Sequence, residues 1–171
     1  MPEAVTPVTV RAYRTEDRAA MIALVAEMQA HYDGDDAASL DDITNAFDRA
    51  QATLRDTVLL VAPDATGALA GYLTAAQTWP GDGGQLCWWL KEVYVATDAR
   101  GRGVGKALIA AFLEHAQRAG GGRVDIAADR ANPTAIGLYQ RLGATMTNKV
   151  ILRFNGKDDA GSLPREGVSH A

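Results

Sequence analysis

Apolar positions along the chain follow two periods, and the switches between them mark out its elements. Val8–Tyr13 alternates weakly between apolar and polar residues, which predicts a first strand. Thr15-Glu16-Asp17 reads as a helix start, a hydroxyl cap followed by acids that suit a helix's positive end. Met21, Leu24, Val25, Met28 and Tyr32 recur at helical spacing, so one face is expected to pack inward until Asp33-Gly34-Asp35-Asp36 breaks the helix. Ser39 and Asp42 have capping-box spacing, and Leu40, Ile43, Phe47, Ala50 and Leu54 form the stripe of a second helix.

Thr57–Ala62 is rich in β-formers, Pro63–Gly67 is a turn and Ala68–Gln77 is a second arm, together a hairpin. A Gly-rich turn after Trp79-Pro80 leads into Leu86–Val95, a long strand. Lys106–Ala119 is helical and ends at Gly120-Gly121-Gly122. Arg123–Ala128 predicts a short strand, Pro133–Leu142 a helix opening at a favoured proline position, and Thr145–Phe154 a last strand. Residues 155–171 carry Gly, Pro, Ser and charge without periodicity and are expected to form a loose tail. The order βααβββαβαβ over residues 1–154 predicts one α/β domain, a central mixed sheet with helices packed on its faces. No repeat or linker divides it.

Composition changes this picture little. The 171 residues suit a single domain with a sizeable core, and 47% hydrophobic with 22% charged residues is ordinary for a globular protein. A net charge of −4 gives nonspecific nucleic-acid binding little support. The single cysteine, Cys87, excludes an internal disulfide and suits a reducing compartment. No signal peptide is read at Met1-Pro2-Glu3, and the longest apolar run, Ala19–Ala26, is too short to span a bilayer. A cytoplasmic location without membrane attachment is the expectation. Cys and His do not cluster, so no metal is expected.

The chemistry concentrates at Arg100-Gly101-Arg102-Gly103-Val104-Gly105-Lys106, placed after a strand and before a helix. Such a turn leaves backbone N–H groups unpaired beside a helix's positive end, a socket for phosphate or pyrophosphate, and the arginines add cationic donors. The triphosphate loop is excluded, since Arg100 stands where its first glycine belongs and Ala107 where its hydroxyl belongs. The dinucleotide fingerprint fails at its third glycine, which falls on Lys106.

The spacing that fits is Arg-x-x-Gly-x-Gly, at Arg100, Gly103 and Gly105. With Glu92-Val93-Tyr94-Val95 upstream, it resembles the acyl-CoA loop of the GNAT superfamily of N-acetyltransferases. A second segment agrees: Asn132, Ala135, Tyr139 and Gly143 match that superfamily's Asn-x-x-Ala-x-x-x-Tyr-x-x-x-Gly helix. The detailed resemblance covers residues 86–145. It implies a single domain with a mostly antiparallel, twisted mixed sheet and helices on both faces. Acetyl-CoA is then the acyl donor, a primary amine the acceptor (a small amine, a polyamine-like molecule or a lysine or peptide amine), and transfer goes by direct attack in a ternary complex. A non-catalytic acyl-CoA sensor is the competing class. The resemblance admits a homodimer, though no segment marks an interface.

By the same resemblance, the main chain of Arg100, Gly101, Arg102, Gly103, Val104, Gly105 and Lys106 would hold the pyrophosphate. Val93, Tyr94 and Val95 would pair with the pantetheine arm where their strand splays from its neighbour, one amide there facing the thioester carbonyl. Asn132 and Ala135 would border the cofactor, Asn132 also being placed to cap its helix, and Tyr139 would donate to the departing sulfur. Glu92 is the candidate general base, on one face with Leu90 and Tyr94 if strict alternation holds; a bulge would break that parity. Gly137 and Ala144 depart from the family pattern, Ala144 standing where an aromatic residue commonly follows Gly143.

Other chemistry-bearing residues have plainer readings. His115 extends the stripe of Val104, Leu108 and Phe112 as a packing residue; His31 sits at a helix C-terminus, where a cation is favoured; His170 belongs to the tail. Cys87, beside Trp88 and Trp89, reads as structural. Trp79, Trp88 and Trp89 are candidates to line an acceptor pocket, although adjacent strand residues point opposite ways. Asp33, Asp35, Asp36, Asp41 and Asp42 fit a solvated loop or a negative rim that concentrates cationic amines.

Overall fold

The computed structural model describes residues 7–153. Five strands, β1 (Arg11–Ala12), β2 (Thr57–Pro63), β3 (Leu69–Thr78), β4 (Cys87–Val95) and β5 (Val124–Ile126), lie side by side in chain order. The first four are antiparallel neighbours and β5 joins β4 in parallel. Four α-helices, α1 (Arg18–Asp33), α2 (Leu40–Thr53), α3 (Val104–Arg118) and α4 (Pro133–Arg141), complete the domain. This is the expected mixed, mostly antiparallel sheet.

Neighbouring residues of β3 show why both faces of the sheet are covered. The Tyr72 hydroxyl donates to Met28 Sδ of α1 at 2.8 Å on one face. On the other, Gly71 leaves room for α3: a Cβ there would lie 2.9 Å from Val104 Cγ1 and 2.8 Å from the Tyr94 carbonyl oxygen. Val104, Leu108, Phe112 and Ala116 of α3 are buried along this contact, Leu108 and Phe112 completely, each worth about 2 kcal/mol of apolar burial. Met21, Leu24 and Met28 bury the facing stripe of α1.

The helix starts follow local chemistry. Ser39 caps α2, its hydroxyl accepting from the Asp42 amide at 3.1 Å, as the capping-box spacing predicts. At α1 the expected cap is not made: Thr15–Asp17 forms a 3-10 turn, and the Asp17 carboxylate, with no cap bond to α1, accepts from the Arg14 amide at 2.8 Å and takes two bonds from Arg11 at 2.6 and 2.8 Å. Asp17 is 6% exposed, and the paired Arg11 guanidinium, with the Arg14 amide, holds its carboxyl below the usual range despite burial. Asp17→Ala is expected to lose about 3 kcal/mol in urea denaturation at neutral pH, because it strands a part-buried guanidinium. The unfolded carboxyl titrates near 4, so this contribution is complete above that pH and disappears as pH falls through the lower folded value. The gap between wild type and variant should therefore shrink below about pH 4.

Three expectations need correction. The first strand is shorter than Val8–Tyr13, although the Tyr13 amide still reaches the Leu59 carbonyl at 2.9 Å. Leu40 at the start of α2 and Leu54 just past its end are 59% and 56% exposed, because Ile43 and Phe47 carry the packing between the stripe's ends. No strand forms over residues 145–153, where Met146, Val150, Ile151 and Leu152 face solvent. Strand propensity counts only where a ladder partner lies alongside, and among the described residues nothing pairs with the far edge of β5. Phe154, the tail over 155–171 and His170 lie outside the described residues. No described helix is long and apolar enough to cross a membrane.

Candidate active site

The Gly-rich loop is built as a socket. β4 ends at Val95, a 3-10 turn covers Thr97–Ala99, and α3 begins at Val104. Gly101 and Gly103 take positive φ, +77° and +83°, a backbone region costly for residues with a Cβ. Among the described residues, no amide of residues 101–106 is paired with another backbone group. These donors meet the positive end of a 15-residue helix. Arg102 and Lys106 are exposed beside them. Arg100 is engaged elsewhere: its Nε donates to the Val95 carbonyl at 3.2 Å and its guanidinium lies 5.6 Å over the Tyr94 ring.

β4 parts from β5 beside this socket. The two strands pair only between Trp88–Leu90 and Val124–Ile126, so Lys91–Val95 continues with no β5 partner. A bulge sits at the parting point: Leu90 opposes Ala75 and Glu92 opposes Thr74, leaving Lys91 as an extra residue. The bulge breaks the strict alternation under which Glu92 would share a face with both Leu90 and Tyr94, as the sequence reading allowed. Leu90 turns toward α3, beside Ile109 and Leu113, while Glu92 stays with Tyr94 on the α1 face. Val93 and Val95 are half-buried, as befits residues that also pack.

α4 closes the opening. Asn132 caps it, Oδ1 accepting from the Ala135 amide at 3.0 Å, with Pro133 at the first position. Leu138 packs where a Cβ on Gly105 would be 3.4 Å away, so α4 lies against the first turn of α3. Tyr139 lines a cavity of about 250 Å3 together with Leu90 and Ile126, the last paired residues before the strands diverge. Burial raises the Tyr139 phenol above its ordinary value, and the nearby charges of Glu92 and Tyr32 raise it further. Glu92 is itself raised by burial, with Lys91 and the Val93 amide pulling weakly the other way. On the α1 face Glu92 also borders a cavity of about 580 Å3, lined by Val25, Met28, Phe47, Tyr72 and Thr74 among others.

The sequence profile of the acetyltransferase (GNAT) family matches residues 21–144, most of the described domain. The chain belongs to this GNAT family. Relatives from Pseudomonas paraeruginosa and Pseudomonas aeruginosa, both L-methionine sulfoximine/L-methionine sulfone acetyltransferases, are each 38% identical over 95 residues. That match covers 54% of this chain and 53% of theirs, so it spans about half the length of these relatives. A mycothiol acetyltransferase from an Arthrobacter species is 37% identical over 50% of this chain and 27% of its own. Among solved structures, an integron cassette protein from the mobile metagenome of V. cholerae superposes with a TM-score of 0.80 at 24% identity, covering 88% of this chain and 94% of that one. An aminoglycoside acetyltransferase from a soil metagenome gives 0.69 at 17%, covering 86% and 95%. At these identities the structural matches establish the GNAT fold alone.

Three residues join this GNAT site that the sequence reading did not single out for it. Tyr32, taken for a packing residue, is 56% exposed, its ring 6.4 Å from that of Tyr94. Burial and the Glu92 charge raise its phenol. Tyr72 lies beneath, raised mainly by burial. Glu27 accepts from Tyr94 Oη at 3.0 Å, from the Thr97 amide at 2.8 Å and from Thr97 Oγ1 at 2.9 Å. One signal was available for it: Glu27 is the single acid between Asp17 and Asp33.

The remaining candidates fall outside this cluster or serve packing. His31 stacks edge-on against Tyr32 at 5.0 Å and is exposed. His115 is exposed at the margin of its stripe, edge-on to Trp88 at 5.6 Å, and Ala116 takes the buried position. Trp79 braces a turn by donating to the Gly84 carbonyl at 3.0 Å, Trp88 is buried and Trp89 half-buried. Cys87 is buried with its sulfur 3.0 Å from Thr78 Oγ1. The acidic positions from Asp33 to Asp42 are all exposed, and none borders the larger cavity. No group of three or more metal-ligating side chains occurs among the described residues.

Proposed function

We propose that the protein transfers an acetyl group from acetyl-CoA to the primary amine of a small molecule, by direct attack in a ternary complex. The observation that carries this reading is the divergence of β4 from β5 at the Lys91 bulge. It sets a loop of unpaired amides at one end of an opening, with Tyr139 and Glu92 on its two sides. Amides with no backbone partner at a helix N-terminus, flanked by Arg102 and Lys106, suit a pyrophosphate. The unpaired stretch of β4 suits an extended pantetheine arm, and acetyl-CoA supplies the thioester.

The chain's own groups divide the remaining work. An amide of the free β4 stretch donates to the oxygen on which charge develops. Glu92, through a water, takes the proton the amine gives up as its N–C bond forms. Tyr139 gives its proton to the sulfur as the C–S bond breaks. For the acceptor, the relatives named for L-methionine sulfoximine and L-methionine sulfone support a small amino compound, and the 580 Å3 cavity beside Glu92 has room for one.

The test is free-thiol release from acetyl-CoA against a panel of amino acids, polyamines, aminoglycosides and lysine peptides. Release that depends on one amine class establishes the reaction and names the acceptor. Acetyl-CoA binding with no release for any amine favours a sensor, and absence of binding overturns the loop assignment.

The pH profile adds a prediction. Glu92 must be ionised to accept a proton, so kcat/KM should rise with pH along an acid limb above the ordinary glutamate value near 4.3. Glu92→Gln should remove that limb. It should also make the protein slightly more stable at neutral pH: a carboxyl whose folded value is raised opposes folding when ionised, an effect relieved only as pH falls toward the unfolded value. An unchanged limb in the variant would assign the base elsewhere.

A further inference from the structure

The phosphate-cradling loop has few contacts of its own, so its shape must be inherited from what flanks it. Two of residues 100–103 are glycines, Arg102 is exposed, and the Arg100 side chain folds back onto β4. Downstream, α3 is seated by Val104 and Leu108. Upstream, the Ala96 amide bonds to the Ala70 carbonyl at 2.9 Å, and the turn that follows is gripped from outside the sheet by Glu27 of α1. One oxygen, Oε1, takes both donors of Thr97 and the Tyr94 phenol. The same phenol oxygen is 3.5 Å from Arg100 Nη2. A chain of contacts therefore runs from α1 through Tyr94 to the first residue of the loop.

Glu27 is not needed to hold α1 on the sheet, a task done by the buried Met21, Leu24 and Met28 of the same helix. Its carboxylate is matched locally by Thr97, Tyr94 and Arg100, yet a negative charge close to an anion site does not itself favour binding there. Its three accepted bonds are what it contributes.

We propose that Glu27 is a positioning residue for acetyl-CoA, fixing through Thr97 and Tyr94 the turn from which the amide-bearing loop departs. This rests on the reading of that loop given above. Because Glu27 acts by geometry rather than charge, glutamine should replace it, keeping an oxygen that accepts from the same donors. Alanine should not.

The experiment is calorimetric titration of the full-length protein with CoA, alongside steady-state kinetics, for wild type, Glu27→Ala, Glu27→Gln and Leu24→Ala. Glu27→Ala is expected to raise the Kd for CoA and the KM for acetyl-CoA about tenfold, with kcat and the amine KM within about threefold, the size of effect that losing the hydrogen bonds holding the turn would produce. Glu27→Gln should recover most of that affinity. Leu24→Ala, a core truncation away from the loop, should lower Tm without moving the Kd. Wild-type affinity in Glu27→Ala would overturn the proposal, as would a glutamine variant as weak as alanine, which would assign the effect to charge. A wild-type protein that does not bind CoA would instead overturn the reading of the loop itself.

Discussion

Tyr139→Phe is expected to lose about 100-fold or more in kcat while acetyl-CoA binds normally, the size of effect general-acid removal produces. A departing thiolate needs a proton, and the donor must hold one at working pH. The Tyr139 phenol does: burial and the facing charge of Glu92 both disfavour phenolate, keeping its value above 10. Glu92 ionises on the acid side and Tyr139 loses its proton only on the alkaline side, so between the two limbs the base is charged while the acid still holds its proton. Phenylalanine preserves the ring among Leu90, Ile126 and Leu142 and removes one oxygen, so packing changes cannot account for a large loss. Single-turnover rates with saturating acetyl-CoA, measured beside the CoA Kd, separate the outcomes. Turnover within a few-fold of wild type would take Tyr139 out of this role.

A large stability loss is also expected at Gly71, the third residue of the central strand β3. Gly71 pairs with Ala62 of β2 and Val95 of β4 within the sheet, and the first turns of α3 lie directly over it. An alanine Cβ would meet the Tyr94 carbonyl at 2.8 Å, Val104 Cγ1 at 2.9 Å and Leu108 Cδ1 at 3.2 Å. The strand is paired on both sides, so relief must come from lifting the first turns of α3. Gly71→Ala should lose about 3 kcal/mol, read as a lower urea midpoint at unchanged slope. It should also weaken CoA binding, because Val104 is the first residue of α3 and the loop amides move with it. Gly105→Ala is the control: its Cβ would sit at ordinary contact distances of 3.4 and 3.5 Å. That variant should fold normally. An unchanged midpoint in Gly71→Ala would mean that α3 is not seated as tightly on β3 as these distances require.

Much of the site could be read from residue spacing because its parts are local. A Gly-rich turn between a strand and a helix creates unpaired amides wherever it occurs, so residues 100–106 are recognisable without tertiary information. The cap formed by Asn132 and Ala135 and the position of Tyr139 two turns into α4 are equally local. Glu27 was missed for the opposite reason: its partners, Tyr94 and Thr97, lie 67 and 70 residues away. Tyr32 fits the apolar stripe by spacing, yet α1 ends over the rim of the sheet, where the ring stays 56% exposed.

The sequence alone determined the order of elements from β1 to α4, the α/β class, the Gly-rich turn between β4 and α3 and the identity of the tyrosine and carboxylate candidates. These follow from period, caps and turn residues, each set by interactions within a few positions of the chain. Only the tertiary structure decided on which face Glu92 lies, where β4 leaves β5, what holds the turn at Thr97, and that residues 145–153 do not extend the sheet. Those outcomes depend on pairing register and on which surfaces meet, and a one-residue bulge or a missing ladder partner changes them without leaving a mark on local pattern.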